Sequence, residues 1–126
     1  MNALAPKLPA EGTVADEVTI GELCRRLAVE MEATRAMGLH IEGSLCSLTV
    51  KAENASERLL DLQMLDVMLQ HLAAMRDVLT AVHSHASPDV LVSLGAILNR
   101  VTLGDLRARL HGQEQVGSWD DELEFL

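Results

Sequence analysis

Aromatic residues are almost missing from this chain, which has one Trp, one Phe and no Tyr in 126 residues. Both lie near the C-terminus, at Trp119 and Phe125, so the core must come from Leu, Val, Ile, Met and Ala. That composition favours helices over a β-branched, aromatic-rich sheet. Cysteine is nearly absent too: Cys24 and Cys46 stand apart with no CxxC, which excludes a disulfide framework and a zinc site of the usual spacing. Each lies among apolar neighbours and reads as a small buried hydrophobe. Positive charge is scarce, with 10 Lys and Arg against 19 Asp and Glu and a net charge of -9. Such a surface repels a phosphate backbone, so nucleic acid is not an expected partner. No apolar run approaches the roughly 20 residues that span a bilayer, and the N-terminal apolar stretch is too short for a secretory leader. The expectation is a cytoplasmic chain without a membrane partner. The glycine-rich phosphate loops, HExxH and GxSxG are also absent, and no cofactor or metal is called for.

What is present is helical periodicity. Thr19 and Glu22 have capping-box spacing, and apolar residues recur from Ile20 through Leu23, Leu27, Met31 and Ile41 to Leu48. A first helix is predicted from about Ile20 to Leu48, either continuous or with a kink or early stop near Gly38, since Gly38 and Gly43 each cost about 1 kcal/mol relative to Ala. Asn54 with Glu57 repeats the cap signal, and Leu59 to Val82 follows without Gly or Pro. Two such helices, each about 45 Å long, joined by a short connector, must be antiparallel neighbours. Ser87-Pro88 predicts a third helix carrying Val90, Leu91, Leu94, Ile97, Leu98 and Val101. A bend is expected near Thr102, where Asp105 completes a cap-like pair, and a stop at His111-Gly112. His83 and His85 suit the C-terminal end of the second helix as macrodipole partners rather than as a chelate.

The expected class is therefore all-α, a long antiparallel hairpin plus a third helix. Residues 1–17 read as a flexible arm, 18–111 as a helical bundle domain and 112–126 as an acidic tail. On the second helix, Leu60, Met64, Val67, Met68, Leu72, Met75, Val78, Leu79 and Val82 cover nearly half the circumference, more than one packed neighbour hides. A homodimer forming a four-helix bundle would cover the excess. The methionines read as core, or alternatively as an adaptable groove. Gln63, Asp66, Gln70 and Asp77 project within about 60° of one another, on a side taken to be opposite the apolar arc. Asp66 and Gln70, four apart, stack along the helix and either stabilise it or address a common partner.

The segment LLDLQMLDVMLQHLAAM resembles the CheZ family of chemotaxis phosphatases, which carries Asp-x-x-x-Gln in a long helical hairpin with another Gln three residues before the Asp. The resemblance implies that Gln70 orients water for attack on the aspartyl phosphate of a response regulator. It also implies that Asp66 engages the regulator's lysine, and that Mg2+ enters only with that partner. Val67, Met68 and Leu69 stand where the family has small polar residues. The tail SWDDELEFL has the acidic, apolar character of that family's terminal docking peptide, with Trp119, Leu123, Phe125 and Leu126 as anchors and, together with Gln63 and Asp77, as partner-binding candidates. The tail either serves recognition or folds back on the bundle.

Two other readings stand beside this one. A non-catalytic helical adaptor using the same tail fits equally, since such termini also resemble the tail of single-stranded DNA-binding protein. His40-Ile41-Glu42-Gly43-Ser44 is similar to the motif of histidine phosphotransfer domains. In it, however, the Gly falls one position early and Glu42 replaces the phosphate-neutralising Lys.

Overall fold

A computed structural model describes residues 16–49 and 53–113. The elements are β1 (Glu17–Thr19), α1 (Ile20–Thr49), α2 (Ala55–His85), β2 (Leu91–Ser93), α3 (Leu94–Leu98) and α4 (Gly104–Leu110). The class is all-α: two long antiparallel helices, with the short C-terminal elements packed against the N-terminal half of α1.

The start of α1 is set by local chemistry, since the Glu22 amide donates to Thr19 Oγ1 at 3.0 Å and satisfies one otherwise orphaned donor. Asn54 occupies the N-cap of α2 but makes no side-chain cap bond; its carbonyl accepts from the Arg58 amide at 3.1 Å. Gly38 neither kinks nor ends α1. Its missing side chain receives Leu69 of α2, which is only 3% exposed. Glycine permits a close approach of the two helices there, and the propensity lost at that position is offset by burial of a leucine, about 1.5–3 kcal/mol. At the other end of the hairpin, His83 Nδ1 donates to the Gly21 carbonyl at 3.0 Å. Cys24 is buried as expected, whereas Cys46 is exposed, because its side of α1 has no neighbour among the described residues.

The third helix does not form as the sequence suggests. Ser87 to Val90 is a turn, in which the Asp89 amide donates to Ser87 Oγ and the Val90 amide to the Ser87 carbonyl. Leu91–Ser93 then runs antiparallel to Glu17–Thr19, with Val18 opposite Val92. Extended, β-branched residues find a strand partner there, and the backbone pairing outweighs a marginal short helix. Asp16 pins this junction. Its carbonyl accepts from the Leu94 amide at 2.8 Å, and its carboxylate accepts from Ser93 Oγ at 2.7 Å and the Gly95 amide at 2.8 Å. The Ser93 hydroxyl, then the Gly95 amide, hold that carboxyl below the usual range. Asp16 and Glu17, which the sequence assigns to the arm, thus take part in this junction. Ser93 Oγ also caps α3 by accepting from the Ala96 amide. Helical structure is interrupted between α3 and α4, and the α4 cap is Leu103 rather than Thr102.

The small core of this end is Leu23, Leu94, Leu98 and Leu110, flanked by Val18, Leu27, Val92, Val101 and Leu106. Leu94 is wholly buried. Polar ties seal its rim. Arg26 donates to the Leu110 carbonyl at 2.8 Å, and Arg109 pairs with Glu30 at 2.9 Å. Gly112 closes the element with φ of +108°, a conformation that disfavours any side chain.

Candidate functional site

The middle of α2 carries the residues singled out by the sequence. Gln63, Asp66, Gln70 and Asp77 are all exposed. Leu69, their neighbour on the inner face, anchors this stretch against α1, so the ridge stands on a rigid element. One helical turn separates Asp66 from Gln70, and Gln70 Nε2 donates to Asp66 Oδ2 at 2.7 Å. Because a carboxylate only accepts, that bond assigns the amide nitrogen to Asp66 and leaves Gln70 Oε1 as the acceptor of the pair. Gln63 lies at the edge of an open depression formed with Leu60, Met64 and Val67.

Asp77 is drawn elsewhere. Arg76 holds its Oδ1 from Nε at 3.1 Å and from Nη2 at 3.0 Å, and Arg76 Nη1 also pairs with Glu32 of α1. Glu32 in turn accepts from Arg35 at 2.7 Å. The Arg35 guanidinium first, then that of Arg76, pull the Glu32 carboxyl from its ordinary 4.5 to about 2. Asp77 therefore joins a network that ties α2 to α1, while Asp66 and Gln70 remain a local pair facing outward.

The polar ridge is not opposite the apolar arc. Seven of the nine arc residues are exposed, and only Leu72 and Leu79 are half-buried. Helix α1 packs on the face carrying Leu62, Leu65, Leu69 and Leu72, so the arc of Leu60, Met64, Val67 and Val78 points away from it and the ridge runs along one flank. Met64, at 70% exposure, and its neighbours Met68 and Met75 are surface residues of the single chain rather than core. The width of the arc does not by itself mark burial, because α2 is apolar on nearly all sides and a projection does not say which side meets α1.

Other candidates separate cleanly. His40 is exposed, whereas Glu42 is half-buried on another side of α1, so the two do not form a phosphotransfer surface. Glu42 Oε2 is buried with no hydrogen-bond partner among the described residues. A cleft near the C-terminal end is lined by Arg25, Arg26, Glu30, Arg109 and Gly112, with each guanidinium already paired to Glu22 or Glu30. Among the described residues no group of three or more His, Cys, Asp or Glu is placed to hold a metal ion. No helix among them is long and apolar enough to cross a membrane. Trp119, Leu123, Phe125 and Leu126 lie outside the described residues.

No curated protein and no solved structure matches this chain. A family match does cover residues 16–125, starting at the aspartate that pins the strand pair and running through the acidic tail. The chain is a member of the DUF8776 family, a domain of unknown function.

Proposed function

We propose that this chain is a helical protein of bacterial signalling that docks a response regulator along α2 and promotes hydrolysis of its aspartyl phosphate. The observation that carries this reading is the exposed Asp66–Gln70 pair, hydrogen-bonded at 2.7 Å on a rigid helix beside apolar surface. With Nε2 engaged by Asp66, Gln70 Oε1 accepts a hydrogen bond from a water and aims it at phosphorus. The water oxygen forms a new bond to phosphorus and the bond to the aspartyl carboxylate oxygen breaks. The regulator's carboxylate and inorganic phosphate are released, with the water's proton passing to phosphate or solvent. An acyl phosphate has a good leaving group, so a neutral amide that positions water suffices without a strong base. Asp66 pairs with a lysine of the regulator, and Mg2+ comes with that partner.

The test is the lifetime of a phosphorylated response regulator with and without this protein. Wild type is expected to shorten it, and Gln70→Ala to remove at least about tenfold of the effect while binding persists. Equal lifetimes with wild type, Gln70→Ala and no addition would end the enzymatic claim.

A second reading is a non-catalytic adaptor. It is favoured by the bulk of Val67, Met68 and Leu69, which stand between the two polar residues. On this reading the regulator or another protein binds with unchanged phosphate lifetime, and deletion of residues 113–126 weakens capture without altering helicity. A loss of helicity on that deletion would place the tail in the fold.

A further inference from the structure

The outward side of α2 is a seam as well as an apolar surface. From Leu60 its exposed positions continue at 64, 67, 71, 74, 78, 81 and 85, in alternating steps of four and three. Alternating steps of four and three return to the same side every seven residues, which is the repeat that two supercoiled helices share. The seam contains no Asp, Glu, Lys or Arg, in a chain with a net charge of -9. Among the described residues nothing covers it.

The seam is also self-complementary when reversed. Placing a two-fold axis between His71 and Ala74 sets His71 opposite Ala74 of a second copy, Val67 opposite Val78, Met64 opposite Ala81 and Leu60 opposite His85. Large residues meet small ones at the centre, and the valines meet each other. The flanks agree in the same register. Met68 meets Met75 on one side, and on the other Gln70 comes level with Asp77. No like charges are brought together. The exposed surface of Leu60, Met64, Val67, Met68, Met75, Val78 and Val82 is roughly 700 Å² per copy, against about 800 Å² per partner in a stable interface.

We propose that a second copy of this chain occupies the seam, forming an antiparallel dimer through α2. The short C-terminal elements pack on α1 and leave this side open. Asp66, a step beyond the seam, stays on the surface, while Asp77 of the second copy reaches the edge of the Gln70 site.

The experiment reads mass in solution by sedimentation or light scattering, on the full chain at tens of micromolar. Wild type is expected at twice the 13.7 kDa chain mass. V67K and V78E are each expected to run as monomers, with helicity by circular dichroism unchanged because both sites are exposed in the single chain. The double variant V67K/V78E is expected to return to the dimer mass, since each new ammonium then faces a new carboxylate twice across the axis. In a parallel pairing, residue 67 would face its own equivalent and the double variant would stay monomeric. A monomeric wild type overturns the proposal, as do single variants that remain dimeric or a double variant that is not restored. Phosphate lifetime is not read here, so the dimer and the proposed activity stand or fall separately.

Discussion

Replacing Gly38 by Ala sets two effects of known size against each other at the closest approach of the hairpin. Helix propensity gains about 1 kcal/mol when an interior Gly becomes Ala. The new Cβ, however, would lie well inside contact distance of Leu69 Cδ2, 3.4 Å from its Cγ and 3.7 Å from its Cδ1. Leu69 is buried, so it cannot swing away without emptying its own site. Overpacking of this kind costs typically 1–3 kcal/mol, so the single change is expected to destabilise by about 1 kcal/mol after the propensity gain. Leu69→Ala alone should lose about 3 kcal/mol through lost transfer energy and a cavity. Combined, the clash disappears, the propensity gain is realised and the new methyl fills part of the hole. The double variant should therefore lose only about 2 kcal/mol, a favourable coupling of about 2 kcal/mol against additivity. Urea unfolding of the four proteins, followed by far-ultraviolet circular dichroism at one fixed protein concentration, measures this directly. Additivity within about 0.5 kcal/mol, or a Gly38→Ala protein more stable by the full propensity gain, would refute the argument that Gly38 is there to admit Leu69.

Glu22 should contribute to acid sensitivity, since its carboxyl is pulled from 4.5 to about 2 by its hydrogen bonds from Arg25 and then Arg26, against an opposing effect of burial. Its folded pKa is depressed, so its stabilisation is complete above pH 4.5 and fades as pH falls towards 2. The stability gap between wild type and Glu22→Gln should close across that window, and a gap that stays constant in urea titrations would count against the assignment. Arg109→Ala leaves the largely buried Glu30 without its 2.9 Å partner and is expected to cost about 1–3 kcal/mol. Adding Glu30→Gln should recover part of that loss in thermal melts, and no recovery would argue against an unpaired-charge penalty. Glu42→Leu removes a buried carboxylate oxygen with no partner and should raise stability by about 1 kcal/mol. A fall in Tm would show that Glu42 has a role the described residues do not reveal.

Much of this fold was legible locally. The Thr19–Glu22 spacing marked the start of α1, and uninterrupted periodicity marked α2, because helix signals are written within one or two turns of chain. The Asp66–Gln70 contact followed from the same logic, since residues four apart on a helix are neighbours whatever surrounds them. The strand pair was not legible, because the partner of Leu91–Ser93 lies at Glu17–Thr19, more than 70 residues away, in a stretch that reads alone as the end of an arm. Gly38 looked like a weak point until Leu69 was placed against it, and Asp77 looked like part of the ridge until Arg76 claimed it from the side.

By itself, then, the amino-acid sequence determined an aliphatic, acidic, helical chain with two long helices and a polar pair on the second. Tertiary structure alone decided which side of α2 faces α1, because a helix apolar on nearly every side has no preferred inner face until its neighbour is chosen. Gly38 makes that choice by accepting Leu69. The consequence is an outward stripe of Leu60, Met64, Val67 and Val78 left uncovered beside Asp66 and Gln70.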